Sequence, residues 1–298
     1  MTVDDAFLGV GRAGTVERPE AVVFGASVVS PYPGRVPHSV EAPTAIRAAS
    51  RRMASFVGHH NFDTGGTFAS WHARVADAGD LACDPLDAAG NRELVRDTVA
   101  GIISAGAMPI LLGGDDSTGI PFLAAFEGNA PVTVVQLDAH LDYRDEVDGF
   151  RFGYSSPMRR AMEMRWVQRI IPLGQRGVGS ARPSDIQDSL DAGNLIVPAR
   201  DLLDRGTMAW ADLLDPSETF VIVLDVDGID PTQMPAVRAP VPSGPDVEFV
   251  TTLFTRLIRR GRFAGLVVTE LEPSLDVNGI SSLAVARLIC RVLDAALD

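Results

Sequence analysis

Short apolar runs alternate along the chain with longer stretches in which apolar residues recur every three to four positions. Nearly continuous runs of aliphatic and β-branched residues mark strands covered on both faces, whereas the longer period marks helices. This pattern predicts strands at 21–27, 108–112, 131–138, 168–174, 194–198, 219–225 and 263–270, with a weaker one at 74–79. It predicts helices at 42–53, 91–106, 183–193, 246–261 and 281–298. In the last of these Leu283, Leu288, Ile289, Val292 and Leu293 fall near one face and are expected to pack on the sheet. Strands and helices in alternation predict α/β architecture with a largely parallel sheet, in a single domain spanning residues 1–298. The stretch from Asn61 to Ala73 has no period and is expected to form an irregular, mobile loop.

Composition narrows the function. At 298 residues and 46% hydrophobic content the chain can bury a substantial core. Its 26 basic and 39 acidic residues give a net charge of −13, which repels phosphate backbones and anionic membranes, so neither is an expected partner. Two cysteines, Cys83 and Cys290, are too few for a disulfide framework or a cysteine metal cluster and are expected to pack as small hydrophobes. The N-terminal MTVDDAFLGVGRAG carries acids ahead of any base, and no apolar run reaches the roughly 18 residues of a membrane span. The expectation is a soluble, cytoplasmic protein.

The candidate chemistry lies where strands end. The run 108–112 leads into Gly113, Gly114, Asp115 and Asp116; 131–137 leads into Asp138, His140 and Asp142; 219–224 leads into Asp225 and Asp227; 263–269 leads into Glu270. In a parallel sheet the carboxyl ends of strands line the crevice where ligands bind, so acids scattered in sequence can converge in space. Extended backbone would send Asp138, His140 and Asp142 to one side, and likewise Asp225 and Asp227. Five carboxylates around one imidazole repel each other unless cations neutralise them, and oxygen donors with a single nitrogen suit Mn²⁺ or Mg²⁺ better than zinc. Six ligands exceed what one ion with an open position for water can take, so two ions are expected.

The set GGDDS (113–117), DAHLD (138–142), DVDGIDP (225–231) and ELEP (270–273) resembles the motifs of the ureohydrolase family of arginase and agmatinase, with its closest likeness to agmatinase-like members. APTAIRAAS (42–50), VADAGD (75–80), SSPMRRAME (155–163) and GQRGV (174–178) extend the likeness over most of the chain. The resemblance implies a three-layer α/β/α sandwich with an eight-stranded, mostly parallel sheet, assembly into trimers or hexamers, and hydrolysis of a small cationic guanidino substrate to urea and an amine by hydroxide bridging two Mn²⁺ ions. It implies Asp138, His140, Asp142, Asp225 and Asp227 as metal ligands, with Asp138 and Asp225 bridging, and Glu270 as the partner of the guanidinium. Asp142 is further implied to move a proton to the departing amine, and Asp115 to be structural.

Three positions depart from the family pattern. Asp116 stands where the family has a histidine ligand, which leaves the shell one negative charge in excess of two divalent cations and should raise the pKa of bound water. Tyr154 and Ser155 align with a histidine-glycine pair whose histidine shuttles protons in agmatinases; a phenol of ordinary pKa near 10 donates a hydrogen bond but does not readily accept a proton. Arg238, in PAVRAPVP (235–242), replaces a glycine-rich turn and is expected to favour a substrate carrying a carboxylate. Tyr154, Ser155, Arg238 and Glu270 are therefore the candidate substrate-binding residues. The departures leave two further readings: hydrolysis of a different amidine-like C–N bond, and a catalytically impaired homologue acting as a binding or assembly subunit. His38, His59, His60 and His72 are expected at the surface.

Overall fold

The computed structural model describes residues 5–298; the first four residues of the acidic N-terminal stretch lie outside it. Eight strands form one sheet: β1 (Gly11–Arg12), β2 (Ala21–Ala26), β3 (Val75–Asp80), β4 (Met108–Gly113), β5 (Val132–Leu137), β6 (Val167–Leu173), β7 (Thr219–Asp225) and β8 (Arg262–Thr269). Their order is β1-β3-β2-β4-β8-β7-β5-β6 and every pairing is parallel. The eight-stranded parallel α/β/α expectation holds. Nine α-helices are seen among the described residues: α1 (Ala42–Ala54), α2 (Ala69–His72), α3 (Ala88–Ser104), α4 (Gly119–Ala124), α5 (Pro157–Met162), α6 (Pro183–Asp191), α7 (Ala199–Ala209), α8 (Val247–Arg260) and α9 (Ile280–Leu297).

Alternation along each strand divides the apolar side chains between two layers. Val23, Ile110, Leu112, Val135, Ile222 and Leu266 face one core, packed by α1, α8 and α9, while Phe24, Leu111, Val134, Val221, Val223 and Val267 face the other, packed by α3, α4 and α5. These side chains are almost fully buried, which is why the central strands read as continuous apolar runs. Leu288, Ile289, Val292 and Leu293 of α9 are buried as expected.

Two expectations need correction. Residues 194–198 are not a strand: Leu195 and Val197 donate backbone N–H groups to Ile170 and Pro172 of β6, but only Val197 forms a bridge, with Leu173. Asn194 diverts the run by accepting the Ile170 N–H on its side-chain oxygen, so the eighth strand is instead the two-residue β1. The stretch 61–73 is not wholly irregular either, since α2 lies within it and anchors the fully buried Trp71, whose indole N–H donates to Asp294.

Candidate metal centre

Strands β4, β8, β7 and β5 are neighbours in the middle of the sheet, and their register brings the ends together: Leu112 pairs with Val268, Thr269 with Asp225, and Leu224 with Leu137. Gly113, Thr269, Asp225 and Asp138 therefore lie at the same height. The connections turn at once rather than staying extended. Asp115 accepts the N–H of Ser117 at 3.0 Å and its hydroxyl, capping a short 3₁₀ turn (Asp116–Thr118). Asp138 Oδ1 accepts the His140 N–H at 2.6 Å, and Asp225 Oδ1 the Asp227 N–H at 2.8 Å. These are Asx turns, in which an aspartate satisfies a backbone donor two residues on. Turns, not strand alternation, bring the acids together.

Two glycines permit the approach. A Cβ on Gly114 would lie 2.1 Å from the Ser27 carbonyl oxygen, and one on Gly228 would lie 2.7 Å from the Asp138 nitrogen. Two side chains at the centre sit on backbone with positive φ, Asp142 at 45° and Glu270 at 66°, a conformation held by the Met158 N–H on the Asp142 carbonyl and by the Glu270 N–H on the Gly114 carbonyl at 2.8 Å. Such backbone costs about 1–3 kcal/mol and persists where surrounding contacts over-determine it.

The acids form two groups whose donor atoms lie within 4.8 Å of one another: Asp138, His140 and Asp227, and Asp116, Asp138 and Asp142. Asp138 belongs to both. Asp225 is outside both groups, with Oδ1 held by the Asp227 amide, though it lines the same cleft. Asp116 Oδ1 accepts the Thr269 hydroxyl at 2.8 Å, and its Oδ2 is buried with no hydrogen-bond partner. Asp138 Oδ2 accepts the Gln136 amide at 2.8 Å, and His140 Nδ1 lies 3.0 Å from Asp227 Oδ2.

Burial and mutual repulsion push Asp116, Asp142 and Asp225 well above the ordinary carboxylate range. Burial and the neighbouring Asp227 raise Asp138 to about 7. Burial opposes charge on His140, but hydrogen bonds to Asp138 and Asp227 outweigh it and raise the imidazole to about 11. A shell this costly in unneutralised charge, with one buried carboxylate oxygen left without a hydrogen-bond partner, fits bound divalent cations.

Glu270 closes one side. Its Oε1 accepts the Asp116 N–H at 2.9 Å and its Oε2 lies 2.7 Å from His38 Nε2. Burial disfavours the charged imidazole, yet the bond to Glu270 holds His38 above its ordinary pKa, while burial raises Glu270 above the ordinary carboxylate range. His38 was expected at the surface and is only 10% exposed; no spacing signal pointed to it, because it reaches Glu270 from a loop 232 residues away. Arg176 is a second residue the sequence reading did not single out. Its guanidinium donates to the carbonyls of Gly174, Asp227, Gly228, Ile229 and Val241, clamping the turn that carries Asp227.

The cleft above the acids holds about 630 Å³, and Tyr154, Ser155, Arg238 and Glu270 are among the residues that line it. Tyr154 accepts a hydrogen bond from Arg35 at 3.0 Å, and Ser155 donates its N–H to the Tyr32 hydroxyl at 3.4 Å. Asp115 Oδ1 accepts both the amide and the hydroxyl of Ser117, and the residue also lines the cleft.

An arginase family profile matches residues 20–294. The chain belongs to the arginase family. That places it among metal-dependent hydrolases acting on C–N bonds of guanidino compounds. Within the family it is 29% identical to a mitochondrial agmatinase of Gallus gallus over 98% of this chain and 80% of that protein. It is 28% identical to a formimidoylglutamase of Chromobacterium violaceum over 71% of each. The solved structure of proclavaminate amidinohydrolase from Streptomyces clavuligerus superposes with a TM-score of 0.87 at 25% identity, covering 98% of this chain and 97% of that one. Three relatives of similar identity act on different compounds, so overall likeness does not select a substrate for this arginase-family chain. No helix among the described residues is long and apolar enough to cross a membrane.

Proposed function

We propose that this chain hydrolyses a small guanidino compound to urea and an amine at a two-metal centre, with Mn²⁺ as the ion. The observation that carries this reading is the pair of three-residue ligand groups joined through Asp138. Asp116, Asp138 and Asp142 would hold one ion, and Asp138, His140 and Asp227 the other; Asp225, which lines the same cleft, would add a further carboxylate. Oxygen-rich donors with one imidazole favour Mn²⁺. When bound, the ions supply Lewis acidity and make hydroxide available near neutral pH.

The remaining steps belong to the chain. Glu270 takes two parallel N–H bonds from the planar guanidinium and orients its carbon over the acids. A carboxylate oxygen of Asp142 accepts the proton of the attacking water; the water oxygen bonds to the guanidinium carbon, the C–N bond to the tail breaks, and Asp142 returns the proton to the amine nitrogen. The His38 hydrogen bond favours the charged form of Glu270 against the burial that opposes it.

Metal analysis of the purified protein, followed by a urea assay over agmatine, arginine and a series of ω-guanidino acids, tests the proposal. Two ions per chain and urea from at least one compound are expected; an empty site, or occupied sites with no urea, overturns it. The 28% identity to a formimidoylglutamase supports a second reading, hydrolysis of an amidine C–N bond, which adding an N-formimidoyl amino acid to the panel separates, because that amidine releases formamide rather than urea. We also propose that the chain forms a homo-oligomer, for which the exposed Phe56 and Phe62 beside His59 and His60 supply apolar contact surface.

A further inference from the structure

Charge in the cleft is separated by depth. Every carboxylate lining it (Asp115, Asp142, Asp225, Asp227 and Glu270) belongs to the floor, and the two guanidinium groups lining it, Arg35 and Arg238, belong to loops at the mouth. Arg238 is exposed and makes no ion pair among the described residues, although its charge is felt by His38 and by Glu272. Arg35 is steadied without being neutralised. It donates to the Tyr154 hydroxyl at 3.0 Å and lies 5.0 Å above the Tyr32 ring; its one carboxylate contact, Asp148 at 3.7 Å, is with a side chain 88% exposed. Tyr154 is itself wedged edge-on between Tyr32 and His38, with ring centroids 4.6 and 5.1 Å away. Gly153 lets this stack form, because a Cβ there would lie 2.2 Å from the Tyr32 ring.

A floor that takes a cation does not need cations at its entrance; they repel the substrate's charged head on the way in and any cationic tail once it is bound. Two such groups at the mouth make sense when the tail is an anion. Arg is also the side chain whose fork matches a carboxylate with two parallel hydrogen bonds.

We propose that Arg35 and Arg238 form a carboxylate subsite, with Tyr154 holding Arg35 in place, and that the substrate is an ω-guanidino acid rather than a guanidino amine. This rests on the guanidino-hydrolase reading above and deepens it. The guanidinium lies against Glu270 and the carboxylate between the two arginines, so the occupant matches the cleft's charge at both ends. Discrimination against an amine tail then follows from repulsion as well as from a lost contact.

Calorimetric binding to the Mn²⁺-loaded protein tests this independently of turnover, using 4-guanidinobutyrate with its shorter homologues, agmatine, and butylguanidine as the uncharged-tail reference. The preferred acid is expected to bind at least tenfold more tightly than butylguanidine, and agmatine more weakly than both. Arg35→Gln and Arg238→Ala should each bring the acid towards the butylguanidine value without weakening butylguanidine itself, and Arg238→Glu should make agmatine the better ligand. Agmatine binding as tightly as the acids, equal loss for all three ligands in the variants, or no binding by any acid overturns the subsite. A parallel urea assay separates this from the reading beneath it: acids that bind in the expected order but release no urea leave the subsite standing and remove the hydrolase reaction.

Discussion

Asp116 concentrates the chemistry of this chain in one side chain. It offers Oδ1 to Thr269 and leaves Oδ2 buried without a partner, so it is shaped as a ligand while adding a negative charge that an imidazole would not. Asp116→His should raise metal affinity by roughly tenfold, the scale on which single changes around a bound metal act. Competition against a metallochromic chelator measures it, and unchanged affinity would remove Asp116 from the ligand shell. At this scale the sequence was legible wherever an acid followed an apolar run, because position after a strand already predicts convergence. It was opaque at His38 and Arg176, whose roles come from loops that meet the centre only in three dimensions.

Among the elements, those with a sustained period were readable: β2, β4, β5, β7 and β8 and the long helices α1, α3, α8 and α9 fall within a few residues of expectation. The six-residue α4 and α5 are too short to show a period, and α7 is interrupted by Gly206 at φ 67°. The elements that matter for the centre are the turns, and Arg176 is their fastener. Its five carbonyl contacts span the turn after β7, the end of β6 and the loop at Val241. Arg176→Met removes all of these donors and should cost about 3 kcal/mol, since a hydrogen bond to a charged group contributes about 1.5–3 kcal/mol and neighbouring contacts are not additive. Urea denaturation of the wild type and variant checks the size. Metal analysis should show a lower content in the variant, because Asp227 is released with its turn.

For the whole molecule, the centre sets how stability depends on pH. The folded-state values of Asp138, about 7, and His140, about 11, both lie above those of an unfolded chain, so between about pH 4 and 11 the folded, chelated protein binds more protons than the unfolded one. These two groups therefore contribute stability that is lost as pH rises. The raised carboxylates of Asp116, Asp142 and Asp225 add to the same slope. The Tm of the chelated protein is expected to be higher at pH 5.5 than at pH 8, and Mn²⁺ should reverse the order, because ions replace protons as the neutralising charge. Differential scanning calorimetry with and without chelator measures both slopes; a chelated protein most stable at pH 8 would show that these carboxylates are not held together in the folded state.

The bond from the Asp116 N–H to Glu270 Oε1 ties the end of β4 to the residue after β8. The group proposed to grip the guanidinium and the group that would ligate an ion are therefore joined by a direct hydrogen bond. If a cation at Asp116 raises the affinity for substrate by some factor, occupancy of the guanidinium position must raise the affinity for the cation by the same factor. At limiting metal, such a coupling would make the concentration of substrate help determine how many molecules are competent to consume it.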